Sequence, residues 1–230
     1  MPKKIVKKRK IKLLPFLIFL LVLAVLSFSV YLLFQIRVKN IIITGTNYIK
    51  DDTILEIAKV KDYPKFLLTT NYSVKKNLEK YPYIKKSTLI KKHPFTFEIK
   101  IEEAKPLFYN TNNSSYIFDN FAKVKESESE YKFRVPRLLN YVPDKKYKLF
   151  VENMNKVNPD TLSKISDIEY QPNDYDKDRF LLYMDDGNMV YLTLTKFKMI
   201  NHYNEVLRQL ENHKGILYLD NGNHFKIMEW

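Results

Sequence analysis

Glu102-Glu103 and Asp185-Asp186 are adjacent carboxylates, residues of a type that could do acid–base chemistry. A general acid and a general base must converge on one reacting group. Neither pair is placed to do that. Neighbouring strand residues point to opposite faces, and Asp186 is needed by the reversal that it forms with Gly187. The histidines His93, His202, His213 and His224 are scattered. The helix expected over Thr195 to Asn212 separates His202 from His213 by eleven positions, far from the i, i+4 spacing of a metal-binding pair. Ser114-Ser115 sits in a polar turn without the Gly-x-Ser-x-Gly elbow of a serine nucleophile. With no cysteine in the chain, thiolate nucleophiles, cysteine zinc sites and disulfides are all excluded. The residues therefore predict no catalytic centre, no metal and no cofactor.

The elements that surround these residues point to binding instead. Leu13 to Ile36 is a run of twenty-four residues without a charge. At about 1.5 Å per residue it reaches roughly 36 Å, enough to cross a hydrocarbon layer ~30 Å thick with some tilt. A cleaved signal peptide has a shorter apolar region, ~7–15 residues, that ends at small residues. Here the run continues through Tyr31, Leu32, Leu33 and Phe34 beyond the weak Ser27-Phe28-Ser29 candidate. Seven Lys/Arg and no acid precede it: Lys3, Lys4, Lys7, Lys8, Arg9, Lys10 and Lys12. Basic flanks stay cytoplasmic, which places the N-terminus inside and everything after Arg37 outside. The same tail holds seven of the net +13 charges. The excess is thus explained by topology and anionic lipid rather than by nucleic acid.

Beyond the span, Val38 to Thr44 reads as a buried strand. A helix follows, capped by Asp51 or Asp52, with Ile54, Leu55, Ile57 and Ala58 as its stripe. A second helix is expected from about Ser73 and ends at Pro82. After Ile84 to Lys92, a strand alternates Phe95, Phe97, Ile99 and Ile101 with polar residues. This β-α-α-β-β order predicts a three-stranded sheet covered by two helices. From Ala104 the chain turns strand-rich, with short strands at Leu107 to Tyr109, Tyr116 to Phe118 and Ala122 to Lys125. A helix is expected after Pro143-Asp144, then strands at Ile165 to Tyr170, Phe180 to Met184 and Met189 to Thr193. A helix striped by Ile200, Tyr203, Leu207 and Leu210 precedes two last strands, Gly215 to Asp220 and Phe225 to Trp230, joined by an Asn-Gly turn. The overall class is α+β, with a transmembrane helix, a small βααββ domain and a mostly antiparallel β domain with flanking helices.

Val38-Lys39-Asn40-Ile41-Ile42-Ile43-Thr44-Gly45-Thr46-Asn47, Leu78-Glu79-Lys80-Tyr81-Pro82-Tyr83-Ile84 and the stretch from Lys92 through His93-Pro94-Phe95 to Glu103-Ala104-Lys105-Pro106 resemble the POTRA domain of the FtsQ/DivIB family of bacterial cell-division proteins. Phe180-Leu181-Leu182-Tyr183-Met184-Asp185-Asp186-Gly187 and Lys214-Gly215-Ile216-Leu217-Tyr218-Leu219-Asp220 are similar to that family's β domain. The resemblance implies residues 1–12 as a cytoplasmic tail, 13–36 as the transmembrane helix, 37–105 as the POTRA domain and 106–230 as an extracytoplasmic β domain. It also implies a noncatalytic scaffold in the membrane at the division septum. Such a scaffold holds the single-pass partners FtsL and DivIC/FtsB and helps control septal peptidoglycan synthesis, where septal synthases are further candidate partners.

In that family the last strand receives a strand from the partner. The physics of a C-terminal edge is compatible with this, since unpaired backbone groups invite strand addition. Expected partner-binding residues are Leu217, Tyr218, Phe225, Lys226, Ile227 and Trp230, with Trp230 as the aromatic anchor. The basic group Lys85, Lys86, Lys91 and Lys92 reads first as a solvated strand end and second as a surface for anionic polymer or lipid. Two other functions compete: a POTRA-bearing polypeptide-binding protein of an export system, and an anchored cell-wall enzyme. Export modules generally come in tandem copies or lead into a barrel, whereas this chain has one copy and ends at Trp230. A wall enzyme needs a cleft of convergent polar groups.

Overall fold

A computed structural model describes residues 13–209 and 213–228. The basic tail, Leu210 and Trp230 lie outside the described residues. The chain divides into two compact units. One holds the residues up to Leu78 together with Ser87–Ile101, and the other holds Glu79–Lys86 with the residues from Glu102 onward.

The first unit begins with α1, Leu13–Gln35, 23 residues whose side chains are not buried anywhere along its length. It is long and apolar enough to cross a membrane. The sheet that follows has the order β1-β3-β2, from β1 (Asn40–Thr44), β2 (Ile84–Lys92) and β3 (Thr96–Glu103). β1 runs parallel to β3, in register from Asn40 opposite Thr96 to Thr44 opposite Lys100. β1 is half-buried rather than buried, with Ile41 and Ile43 turned inward and Ile42 exposed, because it has a neighbour on one side only. Phe97 and Ile99 on β3 are fully buried. Ile54 from α2 (Asp51–Ile57) and Val74 and Leu78 from α3 (Asn71–Leu78) are buried as well.

Two helix starts differ from expectation. The residue before α2 is Lys50, without a side-chain cap, so Asp51 and Asp52 occupy the first turn, where their charge still suits the helix dipole. α3 starts two residues early because the Thr70 hydroxyl accepts the Ser73 N–H (3.2 Å). The Asn71 side chain also accepts the Leu89 N–H of β2 at 2.8 Å.

The second unit is built on a nine-stranded sheet. Its strands are β4 (Pro106–Asn110), β5 (Ser115–Phe118), β6 (Lys123–Lys125), β7 (Arg137–Leu138), β8 (Ile165–Tyr170), β9 (Arg179–Met184), β10 (Met189–Thr193), β11 (Gly215–Tyr218) and β12 (His224–Ile227). Their spatial order is β12-β11-β10-β9-β8-β7-β4-β5-β6. Pairing is mostly antiparallel, with parallel neighbours at β4-β7, β7-β8 and β10-β11. Parallel neighbours need a crossover. α4 (Asp144–Met154) and α5 (Pro159–Leu162) carry the one from β7 to β8. A 3₁₀ stretch, Leu194–His202, continuing into α6 (Tyr203–Gln209), carries the one from β10 to β11.

The α-helix expected over Thr195 to Asn212 is thus a 3₁₀ run first. Leu194, Phe197, Ile200 and Tyr203 recur at every third residue, and all four are buried. Three residues per turn puts such a series on one line, which 3.6 would not. These helices and the sheet enclose a core in which Phe150 and Phe180 stack at 4.9 Å, with Phe197 edge-on to both.

Candidate functional site

At one end of the large sheet β12 pairs antiparallel with β11 alone. The strand spans His224–Ile227 rather than Phe225 to Trp230. Tyr218 lies opposite His224, Leu217 opposite Phe225, Ile216 opposite Lys226 and Gly215 opposite Ile227. The Met228 N–H donates to the Lys214 carbonyl at 2.9 Å. Directly opposed pairs in an antiparallel ladder alternate between bonded and non-bonded. Lys226 and His224 therefore also turn their backbone groups toward β11. Phe225 and Ile227 turn theirs outward. The Gly215 N–H confirms the phase: it points away from β12 and donates to the Asn188 side chain at 2.8 Å.

The inner face of this end is held by a buried polar network. Asn188, 1% exposed, accepts that Gly215 N–H and donates its own amide to the Tyr203 hydroxyl at 3.0 Å. Tyr203 in turn donates to the Asp186 carboxylate, at 2.8 and 3.0 Å from its two oxygens. Asp186 also accepts the Asn188 N–H across the turn (3.0 Å). One chain of bonds so ties the β9–β10 turn to α6 and to the start of β11. Gly215 is itself required there. A Cβ would stand 2.6 Å from the Phe225 ring and collide with the Lys226 carbonyl.

Burial first, and then the hydrogen bond to Asp186, push the Tyr203 phenol far above its ordinary range. Its neutral form is thus favoured in the folded chain. The resulting stabilisation is complete below the unfolded value near 10 and is lost as pH rises past it. Tyr203→Phe leaves the Asn188 donor and the Asp186 carboxylate short of a partner, and should cost about 1–3 kcal/mol at neutral pH. Denaturant unfolding should show the gap between the two proteins closing above about pH 10. A constant gap would reject the network as the source of the cost.

On the outer face, four side chains from successive strands stack in a row. The Arg179 guanidinium of β9 lies 3.4 Å from the Tyr191 ring centroid of β10. Tyr191 stacks on Tyr218 of β11 at 5.4 Å, and Tyr218 on His224 of β12 at 4.6 Å. Arg179 is held in turn by Asp220, 2.7 Å away. Cation–π and stacking contacts of this kind stiffen β12 against the sheet. On the inner side a groove of about 350 Å³ runs between α6 and the end of the sheet, with Val206, Leu217, Leu219 and Phe225 in its lining.

The anticipated binding residues are thereby sorted. Leu217 is 5% exposed and belongs to the core, Tyr218 is a member of the outer stack, and Phe225 is half-buried in the groove. Lys226 and Ile227 are exposed. Trp230 lies outside the described residues. The Asp186–Asn188–Tyr203 network and the Arg179 row were missed by sequence reasoning. Both join residues distant in the chain, and Arg179 beside the aromatic-rich strands was the only local cue.

Side chains weighed for chemistry do not converge. Glu102 pairs with Lys85 at 3.2 Å while Glu103 is buried on the other face. His202 bonds Glu205, and His224 is stacked on Tyr218. Among the described residues no three His, Cys, Asp or Glu side chains group as metal ligands do. The basic group is largely engaged as well. Lys85 pairs with Asp119 at 3.0 Å and Lys92 with Glu98 at 2.9 Å. Lys91 donates to the Phe66 and Leu67 carbonyls, and burial lowers its pKa.

An apolar helix long enough to span a membrane, a βααββ domain and an α+β domain built on a nine-stranded sheet together define a membrane-anchored protein with two folded units. The sequence model of the POTRA domain, FtsQ-type, matches residues 36–104. The cell division protein DivIB of Brevibacillus brevis is 31% identical over 215 residues, covering 88% of this chain and 80% of that relative. DivIB of Listeria monocytogenes is 24% identical over 230 residues, covering 97% of this chain and 85% of its own length. Among solved structures, the major extracytoplasmic domain of DivIB from Geobacillus stearothermophilus aligns with a TM-score of 0.39 and 20% identity, over 48% of this chain and 96% of that one. The chain belongs to the DivIB family of cell division proteins.

Proposed function

We propose that this chain is a noncatalytic scaffold of the divisome. Its N-terminus is cytoplasmic, its POTRA domain (37–105) and β domain (106–230) lie outside the membrane at the septum, and it binds FtsL and DivIC/FtsB there. By holding these partners, and through them the septal peptidoglycan synthases, it contributes to the control of septal wall synthesis. The orientation is supported by the seven basic residues ahead of the span. The observation that carries the binding reading is the edge of β12, where Phe225 and Ile227 direct their backbone groups away from β11. A partner strand laid there gains backbone hydrogen bonds, while the groove beside Phe225 accepts its side chains.

The phase of the ladder selects the test. Ile227→Pro removes an outward donor at an exposed position and sets a ring where the added strand would lie. One lost backbone bond weakens binding by about 0.5–1.5 kcal/mol. With the steric block added, co-purification of FtsL and DivIC from detergent-solubilised membranes should fall by about ten-fold or more. Circular dichroism should remain unchanged. Lys226→Pro instead cuts the β11–β12 ladder and should lower the melting temperature. Full capture by a folded Ile227→Pro protein would exclude the edge as the interface.

A further inference from the structure

The link between α2 and α3 exposes a run of large apolar side chains, Tyr63, Leu67 and Leu68, with Tyr72 following on α3. It does so beside the end of the anchor. The Phe66 N–H donates to the Ile36 carbonyl at 2.8 Å, and the Val38 N–H to the Pro64 carbonyl at 3.0 Å. Arg37 and Lys65 form an antiparallel bridge between these bonds. Ile36 is the last residue of the charge-free run. The 23 residues of α1 extend roughly 34 Å at 1.5 Å each, close to the ~30 Å of a hydrocarbon layer. Whatever the tilt of the domain, a segment bonded to residue 36 stands at headgroup depth.

Four successive carbonyls of this turn, Pro64 to Leu67, are already bonded within the protein. The Lys65 carbonyl accepts the Thr69 N–H and hydroxyl, at 3.1 and 3.0 Å. The Phe66 and Leu67 carbonyls accept the Lys91 ammonium at 2.6 and 3.2 Å. The Pro64 carbonyl is taken by Val38. Backbone groups satisfied internally are what entry into the edge of a bilayer demands, whereas a turn facing bulk water has no such need. Phe66 is folded under the turn, stacked on Phe97 at 5.5 Å, and leaves the two leucines outside. Arg37 is exposed here, its guanidinium donating to the Asp62 carbonyl at 3.4 Å, and a side chain of this kind can hold its charged head at phosphate level while its stem covers apolar surface.

We propose that the Tyr63–Leu68 turn is a second membrane contact, seated in the headgroup–acyl boundary of the leaflet into which α1 ends. Its partner is the lipid surface. The turn and α1 then fix this unit to the bilayer at two points.

The chain has no cysteine, so single nitroxide labels can be placed in the full-length protein. Leu67→Cys, Leu68→Cys and Tyr63→Cys report on the turn, Leu23→Cys on the middle of α1, and Tyr175→Cys, fully exposed, on water. In proteoliposomes of phosphatidylglycerol and phosphatidylethanolamine, power saturation with oxygen and with an aqueous nickel complex gives the depth of each label. Labels at positions 67 and 68 should read about 5–10 Å into the boundary, as an interfacial apolar face does. Position 23 should read deeper and position 175 aqueous. Water-like values at both leucine sites with a deep position 23 would overturn the proposal alone. Exclusion of both reagents at positions 67 and 68 would overturn it too, by showing protein cover. An aqueous position 23 would reject the anchor along with it. Tyr63→Cys guards against a label that disturbs the leucine turn.

Discussion

Phe150→Ala is expected to lower the stability of the nine-stranded unit by about 3–5 kcal/mol. Phe150 is fully buried on α4, stacked against Phe180 at 4.9 Å with their rings 2° from parallel, and edge-on to Phe197 at 5.6 Å. Its removal opens a void where three elements meet: α4, β9 and the 3₁₀ run. None can close it without dragging the others, so the cavity term adds to the lost transfer free energy. Thermal unfolding of the full-length protein in detergent, followed by near-ultraviolet dichroism, would measure it. A melting temperature unchanged by Phe150→Ala would mean that α4 does not pack as described.

Phe97→Ala should cost the first unit a similar ~3–5 kcal/mol. Phe97 is fully buried near the start of β3, the central strand of its sheet, and stacks on Phe66 at 5.5 Å. The effect should reach further than the sheet. Phe66 is bonded through its own N–H to Ile36, so loosening it also frees the turn beside the anchor. Hydrogen exchange should therefore rise at Phe66 and Val38 as well as along β3. If exchange at Phe66 stayed slow while the sheet destabilised, the turn would be held by the Lys91 bonds alone.

What could be read from residues alone follows from how local each signal is. The anchor was legible because a charge-free run needs no partner to be recognised. β3 was legible because Phe97, Ile99 and Ile101 alternate with polar residues over a half-buried face. Phe95, counted with them, instead precedes the strand in a left-handed conformation (φ 48°). β7 left no trace, since two residues, Arg137–Leu138, carry no period. Its place between β4 and β8 is decided by distant pairing. The three-residue spacing from Leu194 to Tyr203 overlaps the stripe of Ile200, Tyr203, Leu207 and Leu210, whose spacing fits 3.6 residues per turn and hides the tighter start.

For the candidate site, alternation separated Phe225 and Ile227 from Lys226. It could not tell which backbone groups look outward, because that depends on the phase of the ladder with β11. Proline at Lys226 looks harmless in the sequence but removes a donor that faces β11. The Asn188 network was illegible for the same reason. Its members lie in a turn, a helix and a strand start that only the crossover from β10 to β11 brings together.

The strand order of the large sheet has a consequence for the timing of biosynthesis. β12 is outermost at its end of the sheet and follows all eleven other strands in sequence. A ribosome must therefore have delivered every other strand before this edge can exist. β11, its template, becomes usable only once the β9–β10 hairpin and the crossover helix have settled against it. A chain terminated before β12 would lack the outward donors of Phe225 and Ile227 and could not take a partner strand in the proposed way.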